Sequence, residues 1–365
     1  MKRVAIFALT AVFLYPAALA AGGPYNANWR SVADKLIQTP PEKWPFDWGE
    51  GVQKIGLMKI HERTGEARYA DYVEQWTEFH RTKDISELLN LPPVKRGRAG
   101  YCGHWSPGTA VLYLYLARKK PEHLRLAEQV NAFIVEGAER SPEGGLGHWL
   151  GSHQLWVDTL YMACPLLAGL GNLHGKKEYL NDAANQILEQ ARYLQDAKTG
   201  LFHHMWDWKE KTKAPDFWGR GNGWVLMSIA DTMEFMDRKH PSYKPLRQVA
   251  EKMLRGLRPL QDRDGLWHTV LDDASSYQET SASMMFAYGI LKLVRLGVLP
   301  KSNLAMARKA WSAVNELYVK DGEVTGVSAG TGPRGAGHYL ERPRGVYTWG
   351  TGAYLMAGSE IDRLK

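Results

Sequence analysis

Apolar residues recur every three or four positions along the chain: Trp29, Val32, Ala33, Leu36 and Ile37 make one stripe, and Tyr69, Tyr72, Val73 and Trp76 another. Continued to the C-terminus, this spacing predicts about twelve helices, over about 26–39, 50–64, 66–81, 107–119, 121–137, 155–171, 176–195, 221–239, 243–258, 279–297, 301–318 and 349–362. Long alternating runs of β-branched residues are missing, so strands are expected to be short and confined to loops. A loose repeat supports pairing of the helices. Gly145-Leu146-Gly147-His148, Gly200-Leu201-Phe202-His203 and Gly265-Leu266-Trp267-His268 each precede a segment rich in Trp or Asp and then a helix, at intervals of roughly 55 to 65 residues, the length of two helices with their connections. The pattern predicts an all-α (α/α)6 barrel of helical hairpins, six inner helices ringed by six outer ones. A solenoid of helix pairs would have more uniform repeats, without long loops bearing Gly, Trp and His.

The first residues break the helical pattern differently. Lys2 and Arg3, an apolar run from Val4 to Leu14 and the small-residue site Ala18-Leu19-Ala20 have the form of a secretory signal, so residues 1–20 are expected to be removed and 21–365 to form one domain, periplasmic or secreted. The run is interrupted by Pro16 and is shorter than a spanning helix needs. No later stretch is apolar enough to cross a membrane. Only Cys102 and Cys164 are present, so one optional bridge is possible but no disulfide framework. The net charge of +7 comes from interspersed basic and acidic residues, which argues against nucleic-acid binding and is compatible with a small anionic ligand. No obligate protein partner is evident.

Three stretches carry candidate chemistry. Trp156-Val157-Asp158-Thr159-Leu160-Tyr161-Met162 opens an apolar helix with an acid among its first residues. Asp158 could simply stabilise the helix N-terminus. Its company points elsewhere: Trp156 precedes it, Tyr161 and Met162 follow on the helix, and His148 and His153 lie in the preceding loop. A carboxyl group packed against apolar rings tends to keep its proton, the state a general acid needs. Trp218-Gly219-Arg220-Gly221-Asn222-Gly223-Trp224 alternates glycine with Trp, Arg and Asn just before a helix. Its backbone can approach a ligand closely, its indoles can stack on a sugar ring, and Arg220 can pair with a carboxylate. The structural alternative is a tight loop with buried tryptophans and Arg220 bridging carbonyls. In Gly200-Leu201-Phe202-His203-His204-Met205-Trp206-Asp207 the adjacent histidines point apart and lack the spacing of a zinc site, so no metal is expected and one of them is read as a donor to a sugar hydroxyl.

Trp44-Pro45-Phe46-Asp47-Trp48, Gly103-His104-Trp105 and Tyr347-Thr348-Trp349 repeat the theme of tryptophan before a helix. Fourteen tryptophans exceed what an ordinary core of this size would hold, so several are expected to wall a carbohydrate pocket. No Ser-His-Asp order, Gly-x-Ser-x-Gly elbow, phosphate loop or dinucleotide fingerprint argues for another chemistry.

WVDTLYM at 156–162, GLFHHMWD at 200–207, WGRGNGW at 218–224, YQETSASMMFAYGI at 277–290 and WGTGAYLMAGSEI at 349–361 together resemble the unsaturated rhamnogalacturonyl hydrolases of glycoside hydrolase family 105, relatives of the family 88 unsaturated glucuronyl hydrolases. The resemblance implies an (α/α)6 barrel with no cofactor and a small acidic oligosaccharide as substrate. It implies Asp158 as general acid and base, with Met162, His204, Trp218, Arg220 and Trp224 around the substrate, and Trp48 and His104 are read as further substrate-binding residues. Gly103 or His104 falls where many members carry a second aspartate, and whether His104 replaces it is left open. In such enzymes the terminal uronic acid carries a C4=C5 double bond. Protonation at C4 and addition of water at C5 would release it, so one carboxyl group suffices where most glycosidases need two. The competing readings are a glucuronyl hydrolase acting on ulvan or glycosaminoglycan fragments, a sugar epimerase sharing the barrel, and a non-catalytic binder of acidic oligosaccharides.

Overall fold

The computed structural model describes residues 28–92 and 97–364; the signal-like segment 1–20 lies outside them. The chain begins with α1 (Trp29–Leu36), α2 (Trp48–Thr64), α3 (Ala67–Arg81) and a single turn α4 (Ile85–Leu88). It continues through α5 (Ser106–Arg118), α6 (Pro121–Ala132), α7 (Val157–His174), α8 (Lys177–Leu194), α9 (Gly219–Glu234) and α10 (Tyr243–Leu257). Last come α11 (Thr280–Arg295), α12 (Leu304–Leu317), the short α13 (Ala336–Leu340) and α14 (Thr348–Ile361).

Helices α2, α5, α7, α9, α11 and α14 pack each on the next, and α14 closes the ring against α2. Helices α1, α3, α6, α8, α10 and α12 form the outer layer, each packed on inner helices. Sequence pattern explains the sorting. An outer helix such as α10 buries one stripe, Leu246, Val249, Ala250, Met253, Leu254 and Leu257, and leaves its other face in water. The inner α7 is buried without a break from Thr159 to Gly171, because both its faces meet protein. The ring closes tightly where two glycines allow it. A Cβ on Gly352 of α14 would lie 2.4 Å from the Val52 carbonyl of α2, and one on Gly56 would lie 2.8 Å from the Gly352 carbonyl.

All twelve predicted helices are present within a few residues of their expected bounds. Six outer-to-inner connections gather at one end, where the inner helices start. Three of them carry the glycine-leucine repeat as a common turn: Gly144, Gly200 and Gly265 have positive φ, and the backbone N–H groups of Ser141, Asp196 and Asp262 donate to the carbonyls of Gly145, Leu201 and Leu266. The strands are short and lie in loops, as expected. β1 (Gln154–Trp156), β2 (Met205–Asp207) and β3 (Thr212–Lys213) form an antiparallel sheet, β4 (Val319–Lys320) pairs with β5 (Glu323–Val324), and β6 (Val327–Ser328) pairs with β7 (Arg344–Gly345).

Cys102 and Cys164 are both buried and free. Cys102 faces His148, whereas Cys164 donates to the Ala183 carbonyl between α7 and α8. Most tryptophans also belong to the core: Trp76, Trp105, Trp224, Trp267 and Trp311 are fully buried, and only Trp48, Trp156 and Trp218 reach the pocket described below. Two concentric helical layers provide more interior than a simple bundle, which accommodates the rings.

Candidate active site

A pocket of about 510 Å³ opens at the end of the barrel where the inner helices begin. Trp48 comes from the start of α2, Asp158 and Met162 from α7, and Trp218 and Arg220 from the start of α9 and the residue before it. One further side is a strap, residues 329–342, between β6 and β7, and another is formed by Arg98, Tyr101, Cys102, His148, Gln154, Trp156 and Met205 from the neighbouring loops. Helix N-termini facing a common cavity favour negative charge there.

Among the described residues Asp158 is the one carboxylate in the pocket wall, and its side chain is 19% exposed. Its Oδ2 lies 3.0 Å from Nε2 of His204, whose Nδ1 lies 2.8 Å from the hydroxyl of Tyr339 on the strap. Trp218 stacks on the His204 ring at 4.3 Å, and Trp156 meets it edge-on at 5.2 Å, so the imidazole cannot turn away from the carboxyl. Burial works to raise the Asp158 pKa, but the charge and hydrogen bond of His204, with Arg220 further off, outweigh it and hold the carboxyl below its ordinary value. The expectation of a proton retained by aromatic packing is therefore corrected: the free site holds Asp158 ionised, because a polar partner sits among the rings.

His148 stacks on Trp156 at 4.0 Å. Its Nδ1 lies 2.9 Å from the Thr159 hydroxyl and 3.1 Å from Cys102 Sγ, and burial pushes its pKa down to about 3, so it is neutral at working pH. It serves as a rigid, uncharged wall beside Asp158.

The other expected site residues separate into those at the wall and those behind it. Met162, Trp48 and Trp218 line the pocket, and Trp48 stacks on Trp349 at 4.2 Å. Trp224 does not reach it: fully buried, it stacks on Tyr161 at 5.4 Å and supports Trp48 edge-on. His204 is also fully buried and touches Asp158 rather than open space, so its influence on a sugar passes through the carboxyl. Arg220 lines the pocket, but Nη1 donates to the Ser328 carbonyl at 2.8 Å and Nη2 to the Ala329 carbonyl at 2.8 Å, which is the carbonyl-bridging alternative. Buried Glu279, capping α11, lies 3.9 Å from Arg220 and accepts from Ser328 N. Together they pin the base of the strap.

His104 lies behind Tyr101, which meets it edge-on at 5.5 Å. The carboxylate beside it belongs to Asp47, with Oδ1 4.0 Å from His104 Nε2 and 3.0 Å from where a Cβ on Gly103 would stand. Asp47 also caps α2 by accepting from Trp48 N at 2.7 Å. Asp47, Tyr101 and Tyr339 were not singled out as site residues from sequence, whereas His148 was noted beside Asp158. Asp47 sits inside a quoted tryptophan motif, whereas Tyr339 lies far along the chain from its partner and carries no local signal. Among the described residues, no three His, Cys, Asp or Glu side chains group as a metal would require.

A helical barrel whose pocket sets Asp158 among aromatic rings and guanidinium groups suits a carbohydrate-active enzyme. The chain belongs to glycosyl hydrolase family 88, whose family model matches residues 26–365. It is 28% identical over 347 residues to the unsaturated rhamnogalacturonyl hydrolase YesR of Bacillus subtilis, covering 92% of this chain and 95% of that protein. It is 27% identical over 348 residues to an unsaturated 3S-rhamnoglycuronyl hydrolase of Formosa agariphila, covering 88% and 85%. A crystal structure of a possible member of the GH105 family from Salmonella enterica superposes with a TM-score of 0.83 at 25% identity over 97% of both chains. The protein is a glycosidase of carbohydrate degradation with an α/α-barrel fold.

Proposed function

We propose that this enzyme removes the terminal 4,5-unsaturated uronic acid from lyase-generated oligosaccharides, with an unsaturated rhamnogalacturonan disaccharide as the preferred substrate, and that Asp158 transfers the proton. The contact between Asp158 and His204 in the aromatic pocket carries this reading. In the free site Asp158 is held ionised beside His204. Entry of the anionic substrate and loss of water favour protonation of Asp158, because burying a carboxylate beside another negative charge is costly. Asp158 then protonates C4, positive charge develops at C5 and the ring oxygen, and the regenerated carboxylate accepts a proton from the water that adds to C5. The hemiketal opens to a ketone, and the hemiacetal left at C1 releases the neighbouring sugar. Trp218, Trp48 and Met162 shape the wall against which the ring lies.

The rhamnose-based names of the two relatives support the choice of substrate. Lyase products form where polysaccharide is, and the N-terminal Lys2-Arg3, apolar run and Ala18-Leu19-Ala20 support export to the periplasm or beyond. No described helix is long and apolar enough to cross a membrane. The test is loss of the ultraviolet absorbance of the conjugated double bond during incubation with lyase-generated disaccharides from rhamnogalacturonan, glycosaminoglycan and ulvan. The rhamnogalacturonan product should react fastest with the wild type and not measurably with Asp158→Asn. Equal decay with the variant would overturn the assignment of Asp158.

A further inference from the structure

The pocket has two unlike faces. The strap presents guanidinium groups, from Arg334 and Arg342, whereas the loops that precede α5 and α7 present the neutral polar side chains of Tyr101 and His148. These two loops are stitched together. Cys102 N donates to the His148 carbonyl at 3.0 Å and Leu150 N to the Ala99 carbonyl at 3.0 Å, so both side chains stand on a common frame.

Tyr101 is held by shape. A Cβ on Gly103 would stand 2.9 Å from its Cζ, so the ring can lie where it does only because residue 103 is glycine. His104 and His148 meet it edge-on at 5.5 and 5.3 Å. Its hydroxyl has no hydrogen-bond partner among the described residues, although the side chain lines the pocket. Burial, with Cys102, Asp47 and Asp158 nearby, pushes its pKa up, so it keeps its proton and remains a donor. His148 complements it. It is 3% exposed, and its Nδ1 is committed to Thr159 and Cys102, which leaves Nε2 as the ring nitrogen without a partner among the described residues. Polar groups on side chains this deeply buried normally have one. The Thr159 hydroxyl donates to Cys102 Sγ at 3.7 Å, so its oxygen accepts from Nδ1–H and Nε2 carries a lone pair. An uncharged donor and an uncharged acceptor thus share the pocket with Asp158, and the proton transfer described above uses neither.

We propose that the Tyr101 hydroxyl and His148 Nε2 hold the water molecule that adds to C5. This rests on the reading of the pocket as a site for hydration of a 4,5-unsaturated uronic acid and assigns the groups that deliver the nucleophile. Every position of the water is then accounted for. Tyr101 donates to one lone pair, the second lone pair forms the bond to C5, one proton passes to the Asp158 carboxylate regenerated by protonation of C4, and the other hydrogen is bonded to His148 Nε2. Neither holder changes its own charge. Positive charge lies on C5 and the ring oxygen at this point, and an imidazolium beside them would oppose it. A water already in place also spares the reaction the entropy of recruiting one.

The experiment compares wild type with Tyr101→Phe, which removes one oxygen and keeps the ring, with His148→Leu, and with His148→Gln, whose amide reaches the place of Nε2. The substrate is the unsaturated disaccharide that wild type consumes fastest. Tyr101→Phe should lower kcat about 10–10²-fold, the cost of misplacing a reacting group, and leave KM within about twofold. His148→Leu should fall as far, and His148→Gln should recover most of the loss. Tyr101→Phe carries the test on its own if His148→Leu, a buried substitution, does not fold. The second readout is made in dilute methanol, which competes with water for C5. A methyl ketal formed there has no hydroxyl proton to lose, so the ring stays closed, the neighbouring sugar is retained, and loss of the double bond exceeds release of sugar. The ratio of ketal to released sugar should rise several-fold over wild type in Tyr101→Phe and His148→Leu. An unchanged kcat in Tyr101→Phe, a lowered kcat with the wild-type ketal ratio, or His148→Gln no better than His148→Leu overturns the water site and leaves the hydrolase reading intact. Failure of wild type to consume the double bond of any unsaturated disaccharide rejects the hydrolase reading and the water site with it.

Discussion

Two carboxylates on neighbouring inner helices, Asp158 on α7 and Asp231 on α9, have similar surroundings and opposite fates. Asp231 is fully buried and accepts from Lys292 Nζ at 2.7 Å, the Tyr288 hydroxyl at 2.6 Å and the Tyr161 hydroxyl at 3.1 Å. Among the described residues Asp158 pairs only with His204, at 3.0 Å, and turns its remaining oxygen capacity to the pocket. Each centre combines an acid, a basic partner and tyrosine. The difference lies in unspent hydrogen bonding and access: the saturated centre holds the barrel together, and the unsaturated one is free to move a proton.

Substitution separates them most sharply. Asp158→Asn should lower turnover by about 10²–10⁴-fold, the range for losing a general acid and base, while leaving the thermal midpoint within a few degrees of wild type. Asp231→Asn should do the opposite. Removing one member of a buried, hydrogen-bonded pair costs about 3–5 kcal/mol, read by denaturant unfolding, while the folded fraction keeps its kcat. Loss of activity per folded molecule in Asp231→Asn would erase the distinction.

Smaller effects sharpen it. Tyr339→Phe should lower kcat about tenfold and leave KM within about twofold, because the tyrosine hydroxyl lies 2.8 Å from Nδ1 of His204 and holds the ring against Asp158. An unchanged kcat would mean that Tyr339 only packs. The smallest effect concerns Lys54, buried over the rings of Trp44, Tyr72 and Trp76, where desolvation brings its pKa down to about 7, with Glu50 opposing the shift. Its ordinary value is about 10.4, so between these limits the unfolded chain binds the extra proton and wild-type stability rises with pH. Lys54→Met should raise the thermal midpoint by a few degrees at pH 7 and below, with the gain shrinking as pH approaches 10. A gain independent of pH would show that packing, not charge, is responsible.

Much of this organisation was legible along the chain. Twelve apolar stripes and a recurring glycine-leucine turn specify the helices and their pairing, and Trp156-Val157-Asp158 marks the carboxylate that the pocket exposes because a carboxyl at the start of an apolar helix stands out. Its ionisation was not legible, since it depends on His204, which comes from another loop. Nor were the strap and Tyr339, which the fold brings to Asp158 from well over a hundred residues away. The segment Gly330-Thr331-Gly332-Pro333-Arg334-Gly335 resembles the glycine and arginine pattern of 219–223 and could have marked a second wall. Arg220 shows the limit of motif reading. The same sequence serves a ligand clamp or a carbonyl bridge, and only the position of Ser328 and Ala329 decides which hydrogen bonds form.

The most direct test of the central claim, that Asp158 drives hydration of the double bond rather than attack at C1, is to run the reaction in D2O and follow it by NMR at early times. One deuterium should appear at C4 of the released uronic acid, with loss of the double bond preceding or matching separation of the sugars, and neither change should occur with Asp158→Asn. A released uronic acid that still carries its double bond and only hydrogen at C4 would contradict it.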